Sequence, residues 1–244
     1  MSSQKLVNWQ NNGIENVLNN LAYGECKPNV SGMGKSCTVN FVDNGTPCRL
    51  VIQTPKMFAP FGAKEWEPRE PGKPSKWDLV LSFKGSSPMM SDFTKLLQAV
   101  DEANVTHAFE NQEAFFGEKG KSRDIIQDRY TSLVNNTNPK YEPKLTTKLD
   151  VKNGEYTGMV FDQHRQLQDL NYLDKMSYVQ ALVEFGSMWV VDKRFGQTIR
   201  TIQMMVHRQE QIRELAITPM DTDEDISTHT NSYDEFPNEI SVAN

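Results

Sequence analysis

From Asp221 to its last residue this 244-residue chain contains no lysine and no arginine. Seven acids lie in that stretch: Asp221, Asp223, Glu224, Asp225, Asp234, Glu235 and Glu239. Two aromatics, Tyr233 and Phe236, sit in the second acidic cluster. A segment so polar and of one charge sign buries too little apolar surface to offset the entropy of ordering it, so a disordered acidic tail is expected over 216–244. All 26 basic residues precede it with 25 acids, so the body is at +1 although the whole chain is at −6. A near-neutral body joined to an anionic tail points to a polyanionic ligand that competes with the tail for a positive surface on the body.

Other absences narrow the function. No apolar run approaches the roughly 20 residues of a membrane span, and no basic-then-apolar segment opens the chain, so neither membrane insertion nor secretion is expected. Three cysteines, Cys26, Cys37 and Cys48, are an odd number and read as reduced thiols of an intracellular protein. Their spacing of eleven is too wide for a Cys-x-x-Cys knuckle, and the four histidines are scattered, so no metal site is expected. "SGMGKS" (31–36) and "GEKGKS" (117–122) end like phosphate loops, but Asn29 and Phe115 stand where the first glycine belongs. Neither Gly-x-Ser-x-Gly nor His-Glu-x-x-His occurs. The expectation is a protein that is not an enzyme and has no cofactor.

What is present is mainly β pattern. "CTVNFVDNGTPCRLVIQT" alternates around Asn44-Gly45, a strong hairpin signal. The proline-rich stretch from Thr54 to Lys76 reads as loop or sheet edge. "WDLVLSFKG" then puts Trp77, Leu79, Leu81 and Phe83 on one face and Asp78, Val80, Ser82 and Lys84 on the other. Helical spacing follows: Phe93, Leu96, Leu97 and Val100 behind a cap at Ser91 or Asp92, then Ile125, Ile126 and Leu133 behind Ser122. Strands resume at "KLTTKLDV", turn at Asn153-Gly154, and close with "YVQALVEFGSMWVV" and "QTIRTIQMMVH" joined across "DKRFG". Short antiparallel strands interrupted once by helices predict a five-stranded Greek-key barrel of the OB type with extra strands, its helix between the third and fourth. The expected parts are a partly helical N-terminal extension (1–38), the OB domain (39–215) with its helical insert at about 91–135, and the tail.

Aromatic and basic residues interleave in several segments. Unpaired nucleic acid offers flat bases to stack on rings and phosphates to follow cations. The candidate binding set is Lys56, Phe58, Phe61, Lys64 and Trp66; Lys84; Lys140, Tyr141, Lys144 and Lys148; and Trp189, Lys193, Arg194, Phe195 and Arg200. Trp77 and Phe83 are assigned to the core.

Taken in order, "TPKMFAPFG", "WDLVLSFKG", "FFGEKGKSRDIIQDRYTSLV", "KYEPKLTTKLDV", "GMVFD" and "FGSMWVVDKRFGQTIRTIQ" resemble the single-stranded-DNA-binding proteins of giant DNA viruses of algae and protists, which are related to the replication SSB of the T-seven-type phages. The likeness runs over roughly 40–206. It implies an OB fold, sequence-independent binding of single-stranded DNA in viral replication, recombination or repair, and an intracellular location at viral replication sites. It also implies a tail that docks a polymerase, helicase or primase, here through Asp221, Asp223, Glu224, Asp225, Tyr233, Asp234, Glu235 and Phe236. In the phage branch the tail ends on an aromatic; here it ends "EISVAN". A homodimer is left open. The competing reading is a structural or packaging protein of a virion that uses the β domain for protein contacts.

Overall fold

The computed structural model describes residues 3–208 apart from 31, 69–71, 73 and 137. The expected tail and its partner-docking residues lie outside the described residues. β1 (Gln4–Leu6) leads into α1 (Trp9–Asn19), which Asn8 caps by accepting a hydrogen bond from the Asn11 amide at 3.2 Å. β2 (Leu21–Pro28), β3 (Lys35–Asp43) and β4 (Thr46–Gln53) follow. Asn44 and Gly45 join β3 to β4 with φ of 48° and 81°, the left-handed pair that a tight hairpin of this twist requires. Next come β5 (Met57–Ala59), β6 (Ala63–Trp66) and β7 (Lys76–Ser82). The expected loop or sheet edge therefore holds an edge strand, since β6 pairs with β7.

The helices are α2 (Pro88–Glu110), α3 (Gln112–Phe116) and α4 (Arg123–Asp128). β8 (Tyr130–Thr131), β9 (Lys144–Leu149), β10 (Val151–Lys152), β11 (Glu155–Tyr156), β12 (Met159–Asp162), β13 (Leu167–Gln168), β14 (Ser177–Val191) and β15 (Arg194–His207) complete the chain. Two helix expectations need correction. α2 starts earlier, because Ser87 Oγ accepts from the Met90 amide and Pro88 suits the first turn. The second helix stops at Asp128, because Tyr130 and Thr131 pair in parallel with Phe195 and Gly196 of β15. Ile126 is buried as expected, but Ile125 is 42 % exposed.

Strand pairing closes a barrel. β4 and β5 lie end to end along one edge of β14, through Val51–Gln53 and Met57–Ala59. β5 then pairs with β7, β7 with β9, β9 in parallel with β15, and β15 with β14. Counting β4–β5 as the first strand, the order around the barrel is first, second, third, fifth, fourth and back to the first. That is a five-stranded Greek-key barrel of the OB type, with β1–β3, β6, β8, β12 and β13 as additions. The helices fall between its second and third strands rather than its third and fourth, because the β3–β4 hairpin contributes only one barrel strand. Register shifts near Leu182 and Phe185 bend β14 around the barrel. At Gly186 a Cβ would come 2.8 Å from Arg200 Nη1 and 3.0 Å from the Thr198 carbonyl.

The segment before residue 39 is built into this sheet. β1 pairs in parallel with β4, β2 pairs antiparallel with β3, and Val7, Trp9 and Val17 enter the main core. That core fills the barrel and runs under α2 through Phe93, Leu96, Leu97 and Val100, the four positions expected from helical spacing. Phe83 is in it and Trp77 packs against it. A second core joins β3 and the far ends of β14 and β15 to the helices: Val39, Val105, Phe115, Ile126, Tyr130, Met188 and Phe195. Between the cores runs a buried polar chain. Asn104 accepts from the Tyr23 hydroxyl (2.9 Å) and donates to Tyr130 Oη (3.0 Å) and Gln197 Oε1 (2.9 Å). Asp101 accepts from Tyr130 Oη at 2.8 Å and from the Leu133 amide. Each α2 polar group thus meets a partner on the barrel or the segment after α4, as burial demands.

Candidate nucleic-acid interface

The alternation in β7 and β9 decides what this face shows to solvent. Leu79, Leu81, Leu145, Thr147 and Leu149 point inward and are buried. The outward cross-strand pairs are Asp78–Lys148, Val80–Thr146 and Ser82–Lys144. β5 adds Phe58 beside Ser82. The loop after β5 brings Pro60 and Phe61, and the segment entering β9 brings Asn135, Asn136, Asn138, Tyr141 and Glu142. With Lys84 these residues line a groove of about 550 Å³, Phe58, Pro60, Phe61 and Val80 giving it apolar surface.

Rings and cations alternate along it. Lys84 Nζ lies 5.2 Å from the Phe58 ring centre, and Phe58 meets Tyr178 at 5.4 Å. Lys56 Nζ stands 5.6 Å from the Tyr178 ring. Lys64 Nζ sits 3.8 Å over Trp66 and 5.8 Å from Phe61. Phe61 and Trp66 are 50 % and 49 % exposed, and Tyr141 is exposed still further. Among the described residues, Lys56, Lys64, Lys84, Lys140, Lys144 and Lys148 form no ion pair within 4.0 Å. Asp78 is the acid among them. Burial raises its carboxyl above the usual range, against the pull of Lys148, the Trp66 indole, Lys76 and Lys64.

Of the fifteen candidates, the structure gathers Phe58, Phe61, Lys84, Tyr141 and Lys144 around the groove. Lys64 and Trp66 lie beside it on β6, Lys148 lies further along the outer face of β9, and Lys140 is in the turn before Tyr141. Lys56 reaches it through Tyr178. The 189–195 cluster is not part of it. Phe195 is 0 % exposed among Phe115, Phe116 and Tyr130, so it cannot stack on a base. Trp189 lies flat against Gly196, where a Cβ would come 2.9 Å from the ring. Lys193 faces Glu118 at 3.5 Å, and Arg194 is exposed at the hairpin end. Arg200 pairs with Asp150 (3.4 Å) and Glu184 (4.0 Å).

Sequence reasoning missed Tyr178, Val80, Asn136, Asn138 and Glu142. Tyr178 was legible: it shares the outward parity of Gln180, Leu182 and Glu184 in β14. The asparagines carried no signal, since only the pairing of Asn135 with Lys144 swings that segment over the groove. Cys26 and Cys37 face each other across β2 and β3 as free thiols, Cys48 is buried, and no cluster of metal-ligating side chains occurs among the described residues. Lys35, of the first phosphate-loop-like stretch, lies on β3 and donates to the Ala114 carbonyl at 2.5 Å.

A comparison with curated proteins finds no match. Among solved structures, the chain is similar to the single-stranded DNA-binding protein of bacteriophage Enc34 in complex with ssDNA, with 9 % identity, a TM-score of 0.41, and coverage of 71 % of this chain and 92 % of that one. It is also similar to gp2.5, a single-stranded DNA-binding protein encoded by bacteriophage T7, with 13 % identity, a TM-score of 0.44, and coverage of 69 % and 97 %. The sequence itself, over residues 80–218, matches the family described as a family of unknown function, DUF5871, and the chain belongs to that family.

Proposed function

We propose that this protein binds single-stranded DNA across the outer face of β7 and β9. The observation that carries the reading is the groove itself. The exposed rings Phe61, Trp66 and Tyr141 are interleaved with lysines that form no ion pair among the described residues, on the barrel face that OB folds offer to oligonucleotides. Bases stack on Phe61, Trp66 and Tyr141, and the lysines now resting over the rings turn to the phosphates. Stacking needs unpaired bases and every base has a π face, so a single strand is held with no strict sequence requirement. The protein then serves replication, recombination or repair of viral DNA. The acidic stretch from Asp221 competes with DNA for the lysines and, once displaced, docks basic replication proteins. The deciding measurement is affinity for oligo-dT against a duplex of equal length over a salt series. The single strand should bind more tightly, and log affinity should fall linearly with log salt, with a slope near −0.7 per phosphate contacted. Equal affinity for the duplex refutes the reading. Truncation after Met220 should tighten oligo-dT binding most at low salt, and no change at any salt removes the competing role of the acidic stretch.

A further inference from the structure

Among the described residues one carboxylate lines the groove, and its backbone is held in place. Glu142 lies between the turn closed by the Tyr141 amide on the Asn138 carbonyl (3.0 Å) and Pro143, whose carbonyl accepts from the Phe83 amide at 2.9 Å. One residue later, Lys144 and Asn135 exchange two backbone hydrogen bonds of 2.9 Å. The backbone is thus fixed on both sides of Glu142. Its side chain is exposed and makes no hydrogen bond or ion pair among the described residues, although Lys140 and Lys144 flank it in sequence. An unpaired carboxylate is out of place in a groove that follows phosphates, because it repels them. A base edge carrying N–H donors is the part of a nucleotide it attracts.

We propose that Glu142 reads the Watson–Crick edge of one base in the groove and biases that position toward guanine. The inference rests on the single-strand reading above. Guanine offers N1–H and N2–H side by side, matching the two oxygens of a carboxylate. Adenine and cytosine offer one amino group, and thymine one imino N–H. Bidentate bonds to a charged acceptor are stronger than single ones. The base would lie on Phe58, Pro60 and Phe61, and a groove of about 550 Å³ is within the range that takes a small ligand. Glu142 is exposed, so the preference belongs at the low end for bidentate readout, about fivefold.

The test uses the full chain and oligonucleotides of about twelve nucleotides, within the site sizes of such folds. One is all thymidine, one carries a central guanosine, and one carries a central inosine, which lacks the N2 amino group. The guanosine strand should bind about fivefold tighter than oligo-dT, and the inosine strand should fall back toward oligo-dT. In Glu142→Gln the guanosine strand and oligo-dT should bind equally well, whichever way the affinity for oligo-dT itself moves. Oligo-dT binding with no guanosine gain, or a gain that survives Glu142→Gln, overturns this inference alone. Failure to bind oligo-dT at all overturns the groove reading and this inference with it.

Discussion

The two ends of the barrel carry similar residue types and use them in opposite ways. Around β5–β7, Phe61 and Trp66 stay at the surface, with Lys64 beside both rings and in no ion pair among the described residues. Around the β14–β15 hairpin, Phe195 is sealed under α3 by Phe115 and Phe116, and Glu118 gathers the cations: Arg129 at 2.5 Å, Lys193 at 3.5 Å and Lys121 at 3.9 Å. Those cations hold the Glu118 carboxyl below its usual range, Arg129 first. The difference lies in what covers the rings and what neutralises the charge. A helical insert and one glutamate make a structural joint from residue types that are left open on the proposed binding face.

That contrast is broken most sharply by truncating one ring at each end. Phe195→Ala should cost about 3–5 kcal/mol of stability, the cost of emptying a fully buried phenylalanine site. Oligo-dT affinity of the folded fraction should be unchanged. Chemical denaturation beside a binding titration checks both, and a DNA-binding defect in well-folded Phe195→Ala protein would contradict the assignment.

The closed end should also respond to pH. Burial lifts the Asp101 carboxyl to about 6, against hydrogen bonds from Tyr130 and the Leu133 amide. The folded state therefore holds its proton to higher pH than the unfolded chain, whose aspartate titrates near 3.9. Between those values the native state binds more protons, so stability falls as pH rises through the window from about 4 to about 6 and is flat beyond it with respect to this group. The change is about 2–3 kcal/mol at most. Asp101→Asn should remove it from denaturation midpoints measured across that window. A slope that persists in the variant places its origin elsewhere.

How much of this was legible beforehand follows from where each signal is stored. Alternation over Trp77–Lys84 and Lys144–Asp150 correctly gave the inward leucines and the outward lysines, because a strand's two faces are a local property. The turns at Asn44-Gly45 and Asn153-Gly154 were equally local, and both residues of each take positive φ. Phe195 was misread because interleaving of rings and cations says nothing about a helix arriving from eighty residues earlier. Tyr130 and Thr131 continue a helical pattern, yet β15 takes their backbone hydrogen bonds, a tertiary override that no local spacing reveals. The 550 Å³ groove needs four separate segments to converge, and the lysines and rings marked in the sequence lie on three of them, with nothing to show that they meet.

At the open end, Trp66→Ala should weaken oligo-dT binding by about 1–3 kcal/mol, the range for one stacked base. Trp66 is half exposed on an edge strand, so its loss should leave the denaturation midpoint nearly unchanged. The salt slope should also stay the same, because a ring contacts no phosphate. Unfolding of Trp66→Ala without a binding defect would make this tryptophan part of the core.

The smallest effects should separate lysines by what they already touch. Lys144 and Lys148 face outward from β9 with no ion pair among the described residues, so each is free to take a phosphate. Lys144→Ala or Lys148→Ala should weaken binding modestly and flatten the log–log salt slope by up to about 0.7, the counterion release of one single-strand contact. Lys193 sits 3.5 Å from Glu118, whose carboxylate already holds Arg129, and it lines no part of the groove. Lys193→Ala should leave both affinity and slope where they are. The three variants remove the same charge from the same protein, so a change in net charge cannot account for a difference between them. Equal flattening by Lys193→Ala would mean that DNA runs on past the groove to the β14–β15 hairpin, and that the Glu118 cluster opens to receive it.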